Sequence, residues 1–390
     1  MRRRADYMHR IAQGVLTILA VVIWTMATGL TSAHAALLDG LLEGVSESLG
    51  KRAEEKGETL VLGNFYPPET PDSHGPIGMM GDHTHNEGEF MATYRYMNMF
   101  MGGNMNGNDD VSDSEVTTQF GFPVAPTDMR MTMDMLSAMY GVNQTLTLTV
   151  MVPYLHKSMH HVNNVNGVTF ETKTSGLGDI TLGSLWRLYA VESPSLGAHR
   201  FHLNFGVGLP TGSIKEDAFV PAGAAVRRLP YPMQLGSGTV DLYPGITYTG
   251  GKSRTSWGFQ YIATFRLGEN SQDYTVGNGN NVTGWGAYRW VDWMSTSLRL
   301  DWRQWGNYDG ADPNLNTPPP PLPNVVETAV PSLRGGQRLD LLAGVNMLLP
   351  NLGSLENRLA VEGGTPIMQR LDGPQLKTSW MLVAGWQLIF

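Results

Sequence analysis

The chain has 390 residues, no cysteine, 46 glycines, 10 tryptophans and a formal net charge of −8. The lack of cysteine excludes a disulfide framework, and a mildly acidic chain without a basic cluster argues against nucleic acid as a partner. So much glycine and tryptophan, with few helix-like periods, points to a β protein with tight turns and interfacial aromatics.

Arg2, Arg3, Arg4 and Arg10 precede a mostly apolar run from Ile11 to Ala27, and Ala33-His34-Ala35 is a small-residue cleavage site. That pattern predicts a secretory leader over 1–35, with the mature chain starting at Ala36. Removing it leaves 23 basic against 34 acidic residues, a balance of about −11. Beyond the leader no stretch of about 18 apolar residues offers a spanning helix. Leu38, Leu41, Leu42, Val45 and Leu49 recur at helical spacing, so a short amphipathic helix is expected from Ala36 to about Glu58. Pro67, Pro68, Pro71 and Pro76 make the rest of 59–86 irregular. Residues 36–86 therefore read as a periplasmic extension able to enter a lumen as a plug.

From about residue 87 the pattern changes to period two. Twelve alternating segments are expected, at about 88–102, 129–142, 144–156, 177–191, 199–212, 236–249, 254–268, 282–291, 295–308, 337–349, 355–368 and 376–390. Phe201, Leu203, Phe205 and Val207 oppose His202, Asn204, Gly206 and Gly208, and Leu298, Leu300 and Trp302 oppose Arg299, Asp301 and Arg303. Alternating segments of about ten residues, repeated an even number of times, predict an all-β fold: a transmembrane antiparallel β-barrel of about 12 strands over 87–390. Connections after odd segments are long and those after even segments short, as a periplasmic amino terminus requires. The final segment alternates Trp380, Leu382, Ala384, Trp386, Leu388 and Phe390. Such an aromatic end suits recognition by the barrel-assembly machinery of a bacterial outer membrane, with the lipid bilayer as the other partner.

Gly176-Leu177-Gly178-Asp179-Ile180 with Trp186-Arg187, then Gly208-Leu209-Pro210-Thr211-Gly212-Ser213, then Leu235-Gly236-Ser237-Gly238-Thr239-Val240-Asp241-Leu242 form a recurring pattern. It resembles the family of outer-membrane transporters named for the phenol meta-cleavage pathway, the MetA-pathway-like β-barrels. The match covers about half the mature chain and implies a barrel channel or transporter. Pro76-Ile77-Gly78-Met79-Met80-Gly81-Asp82-His83 and Arg95-Tyr96-Met97 look like a Met/His-rich subgroup.

Fourteen of the 22 methionines lie between Met79 and Met159. On the first hairpin, Arg95, Met97, Met99 and Met101 share one face, and Met129, Met131, Met133 and Met135 share the facing one, while Phe90, Tyr94, Leu136 and Tyr140 point the other way. The third segment adds Met151 on the lumen side, then His156, Met159, His160 and His161 at the outer mouth. His83 and His85, beside His74, Met79, Met80 and Asp82, stand at the periplasmic end. Thioether and imidazole suit soft or borderline metals, Cu(I) above all, so a copper or silver relay is the leading expectation. The methionines serve equally as apolar lining for a hydrophobic or aromatic solute, or as adaptable packing. No enzyme is expected. The minor alternative is a hydrolase, with Ser158 beside His156 or His160 as its only local nucleophile–base candidate. Arg187, Asp241, Arg266, Arg299, Asp301, Arg303, Arg338, Asp340, Arg358 and Glu362 read as a salt-bridged polar core or as a selectivity ladder.

Overall fold

The computed structural model describes residues 70–193, 197–220, 225–315, 326–353 and 355–390; the expected leader and amino-terminal helix lie outside them. The strands are β1 Phe90–Gly107, β2 Asp109–Val111, β3 Val124–Gly141, β4 Leu146–Asn163, β5 Val168–Leu177, β6 Ile180–Ser193, β7 Gly197–Leu209, β8 Asp217–Val220 and β9 Ala225–Arg228. They continue with β10 Val240–Lys252, β11 Thr255–Leu267, β12 Tyr274–Thr275, β13 Gly279–Val291, β14 Met294–Trp305, β15 Asp309–Gly310, β16 Gly336–Leu352 and β17 Leu355–Ile389. Among the described residues one short α-helix, α1 Asp113–Thr118, is capped by Ser112 and Glu115 in a reciprocal capping box.

Antiparallel neighbours follow the order β17-β16-β14-β13-β11-β10-β7-β6-β4-β3-β1, and pairing of β17 with β1 closes the ring. β17 pairs with β16 up to Leu371 and with β1 from Leu371 onward, so it crosses the wall twice. The eleven strands of the wall thus make the twelve crossings that the alternation predicts. Closure leaves no unpaired edge for lipid to meet, the condition a sheet must satisfy in hydrocarbon.

The outward face confirms which solvent the wall was built for. Leu136, Leu148, Leu182, Phe205, Phe259, Leu298, Leu300, Leu341 and Leu382 are exposed, Leu136 at 63% and Leu298 at 62%. So wide an apolar belt is far beyond what a water-soluble surface carries. Trp186, Tyr288, Trp290, Trp293, Trp386 and Phe390 stand exposed at the tight-turn end, forming one aromatic girdle. At that end the turns are short. Asn143 Oδ1 accepts the backbone N–H groups of Thr145 and Leu146 (2.9 Å each), and Ser253 takes a positive φ of 58°.

Inward, the charged residues neutralise one another. Arg266 pairs with Asp241, Arg303 with Asp301 (2.8 Å), Arg338 with Asp340 (2.9 Å), and Arg299 with Glu362 (2.8 Å). The polar-core reading is the one this face supports.

The outer connections differ from expectation. β1 and β3 stay paired up to Gly102–Asp128, and β4 and β5 run together to Asn163–Val168. Much of what reads as loop is strand, because above the lipid a ladder needs no apolar outward face. Residues 213–220 and 225–235 return over this end: Met129, Met159, Leu229 and Met233 form a buried cluster with Met101, Ala218 and Leu376 against it. Tyr231, Tyr274 and Tyr308 pack ring to ring beside it, with centroids 4.9 to 5.9 Å apart. Together these segments make a cap.

Candidate functional site: the lumen between plug and cap

Residues 70–86 thread the lumen and return. Near the tight-turn end the Ser295 hydroxyl donates to the Pro71 carbonyl (2.6 Å), and Arg289 lies 3.5 Å from Asp72. Higher up, Arg358 Nη2 donates to the Gly75 carbonyl (2.9 Å), and the Gly78 N–H donates to Glu362 Oε2 (3.1 Å). At the tip one carbonyl, that of Gly81, is contacted by His202 Nε2 (2.9 Å) and accepts from Asn204 (2.8 Å) and Gln260 (3.2 Å). Gly81 takes φ +63° to present it, a conformation open chiefly to glycine. The descending arm is held by Arg187 to Thr84 (2.9 Å) and by Thr147 to the His85 N–H (2.9 Å). A proline-rich segment with no strand pairing of its own can be buried because wall side chains satisfy its backbone groups.

Above the tip lies a cavity of about 440 Å³. Its floor is Gly78, Met79, Met80 and Gly81. One side carries Met139, Met151 and Leu185, and the other carries Ile262, Arg266, Arg299, Arg303 and Trp305, with Arg95, Asn204 and Gln260 near the floor. Four arginines line it and no carboxylate does. Arg266, Arg299 and Arg303 have carboxylate partners in the wall behind. Arg95 is different: it is buried, its Nη1 contacts Met80 Sδ, its Nε has no hydrogen-bond partner, and among the described residues no carboxylate forms a direct ion pair with it, Asp82 acting on it only from a distance.

The methionine register is the one the hairpin reading requires. Met97 faces Met133, Met99 faces Met131 and Met101 faces Met129, while Met135 faces Arg95. The patch extends to Met381 opposite Met99 and to Met159 opposite Met129. Met381 is a member the sequence reading overlooked, although its parity with the outward-facing Trp380 and Leu382 was there to find it. The patch is largely occupied, however. Met129 and Met159 are buried under the cap, Met101 packs on them, Met97 packs on Ile77 of the plug, and Met135 is buried. Of the fourteen candidate residues only Met151 lines the cavity.

The histidines expected at one outer mouth are divided. β4 runs past them, so strand parity sends His156 and His160 outward and His161 inward: His160 is 52% exposed and His161 3%. His160 Nδ1 lies 2.8 Å from Asp128, His156 3.9 Å from Asp134, and His161 stacks on Phe170 (4.8 Å). The Ser158 hydroxyl donates to Glu171 (2.6 Å), so the carboxylate holds the proton a general base would have to take. His83 and His85 lie in the plug's descending arm. Their rings are 4.9 Å apart, and His85 Nδ1 is bonded to Glu89.

No family model and no curated protein matches the sequence. Among solved structures, the chain is similar to an outer-membrane channel from Pseudomonas putida F1, with a TM-score of 0.52 at 14% identity over 80% of this chain and 98% of that one. A FadL homologue from Pseudomonas aeruginosa aligns with a TM-score of 0.35 at 11% identity over 84% of this chain and 99% of that one. The first likeness shows what the wall already argues, a closed β-barrel of the outer-membrane type.

Proposed function

We propose that this barrel is an outer-membrane channel, exported through the leader over 1–35, for a small amphipathic molecule with an apolar or aromatic body and an anionic or hydrogen-bond-accepting head. The carrying observation is the cavity above the plug, lined by the plug tip and the barrel wall. Its volume of about 440 Å³ suits a small ligand, it mixes thioether and aliphatic walls with arginine, and it exposes no carboxylate. Arg95, buried, in no direct ion pair among the described residues and with Asp82 only at a distance, supplies positive charge that an anionic head would meet. The same charge opposes a metal cation. The solved Pseudomonas putida channel lends the reading a precedent on this fold.

A second reading, passage of Cu(I) or Ag(I), has one observation behind it: the Met97–Met101 and Met129–Met135 ladder faces inward in register. Burial of its ends under the cap and against the plug weighs against an open relay.

The test uses three probes of one shape: benzoate, benzyl alcohol and benzylammonium, with silver ion as a fourth. In proteoliposome flux, benzoate is expected to enter fastest, benzylammonium slowest, and Arg95→Leu to erase that order. Equal flux of the two ions would sink the arginine argument. Silver uptake lost in a Met99, Met131 and Met133→Leu variant would install the metal reading instead.

A further inference from the structure

Within the plug, three ligand-bearing side chains converge that the proposed channel chemistry does not use. His74 stands on the ascending arm, and Asp82 and His83 stand on the descending one, all largely buried. One ligand atom from each lies within 4.8 Å of the others. The His74 and His83 rings meet edge to face at 4.4 Å, and His83 Nδ1 is 3.0 Å from Asp82 Oδ1. His83 Nε2 is buried without a hydrogen-bond partner among the described residues, while Nδ1 faces the Asp82 carboxylate. Asp82 Oδ2 is already placed by the Gly75 N–H (2.7 Å), which turns the carboxylate's other oxygen toward the histidines.

We infer that His74, Asp82 and His83 form a site for one divalent cation of zinc type, which clasps the two arms of the plug. Two imidazoles and a carboxylate, with a fourth position for water, are a borderline-metal donor set. Tetrahedral ligands around such an ion stand roughly 3.4 Å apart, so the three groups need only side-chain adjustment to close on it. The Asp82 carboxylate also lies within electrostatic reach of Arg358 and Arg95, so the ion is held by its three direct ligands against those more distant charges. Its position gives it a consequence. Residues 75–81, between the ligands, include the tip that floors the cavity, so a bound ion fixes the floor and its removal loosens it. This site is independent of what passes through the channel, and it uses nitrogen and oxygen donors, not the thioether ladder.

The full-length barrel, refolded in detergent and stripped of metal, is titrated with zinc chloride by calorimetry. One equivalent is expected, with affinity lowered at least tenfold in His74→Gln and again in His83→Gln, and unchanged in a His156→Gln/His160→Gln control. In parallel, zinc should slow proteolysis within 70–86 relative to a chelator in the wild type and not in His74→Gln. Heat-modifiable migration on gels identifies folded barrel in each sample, and Asp82→Asn replaces His83→Gln should the latter not fold. A folded wild type that binds no zinc, or a His74→Gln variant that binds as tightly as wild type, overturns the inference. Binding lost only in the His156/His160 control moves the site to the rim and overturns it equally.

Discussion

Glu362 joins the wall to the plug, and its replacement separates two contributions. It holds Arg299 by a two-pronged contact, Nε to Oε1 and Nη2 to Oε2 at 2.8 Å each, and Oε2 also accepts the Gly78 N–H at 3.1 Å. Arg299 is 3% exposed and Glu362 1%. Removing one member of a buried pair leaves an uncompensated charge, which costs about 3–5 kcal/mol. Asp301, 3.5 Å from Arg299 Nη1, remains as a weaker partner, so Glu362→Leu belongs near the lower end, about 3 kcal/mol. Replacing both members by apolar residues of similar volume is close to neutral for such pairs. In the double variant Glu362→Leu/Arg299→Met, the orphaned Gly78 N–H remains, worth about 1–3 kcal/mol, and it burdens the plug alone. Tryptophan fluorescence during urea unfolding should therefore show a large loss in the single variant and most of it recovered in the double. Single-channel conductance in planar bilayers should stay raised in both. A double variant as unstable as the single one refutes the charge argument, and unchanged conductance in both refutes the anchoring of the plug.

Gly141 lies against the Asn86 carbonyl with no space for a Cβ, so Gly141→Val should displace the plug's exit and raise conductance while heat-modifiable migration still reports a folded barrel. Replacing Met99, Met131 and Met133 by Leu keeps volume and greasiness and should change stability by less than about 1.5 kcal/mol per substitution in urea unfolding. A larger loss would mean that the thioethers hold something that leucine does not. Burial pushes the Glu327 carboxyl, at the foot of the cap, up to about 8. A folded-state value above the unfolded one means that the folded cap keeps a proton the open chain loses. Its contribution is then complete below pH about 4.5 and disappears as the pH climbs to about 8, at no more than about 1.4 kcal/mol per pH unit. Proteolysis of the 326–335 segment should accelerate over that window in the wild type and not in Glu327→Gln.

The wall was legible because one rule dominates it. A strand between lipid and a polar lumen must alternate, and that period alone separates Leu298 and Leu300 from Arg299 and Asp301. The face of the methionines was legible for the same reason, since a strand that keeps Leu136 outward must turn Met133 inward; the pairing of Met133 with Met97 is a matter of register that alternation alone does not set. The split of His156 and His160 from His161 would have followed from parity as well, had β4 been carried to Asn163. It was lost because Lys157 to His161 offer no apolar alternation above the lipid, where none is required. The plug's path was not legible at all. A segment punctuated by Pro71 and Pro76 has no period, and its partners, from Thr147 to Arg358, are scattered over the wall. Alternation alone turned Arg95, Arg266, Arg299 and Arg303 inward, but the cavity they line takes its floor from the plug, so its shape could not be assembled from local pattern.

Plug and cap close the same lumen by different physics, which decides the one that yields to a solute. The cap buries Met129, Met159, Leu229 and Met233 together, and opening it returns that apolar surface to water. Burying a methionine or leucine side chain is worth about 1.5–3 kcal/mol, so the four set a barrier of several kcal/mol before the tyrosines are counted. The plug is held by hydrogen bonds to its backbone, at Pro71, Gly75, Gly78, Gly81 and His85, with Ile77 packed on Ala360, Val383 and Met97 as a small apolar anchor. In a lumen that water can enter, each such bond exchanges for one to water at a net loss of only about 0.5–1.5 kcal/mol. Bonds of that kind are released one at a time, whereas a packed cluster opens as a unit. The plug should therefore fluctuate on its own while the cap stays shut. Amide hydrogen exchange checks this: the N–H groups of Gly75, Gly78 and His85 should exchange well before those of Leu229 and Met233, which donate to backbone carbonyls under the cap. The opposite order would make the cap the gate and leave the plug as fixed structure.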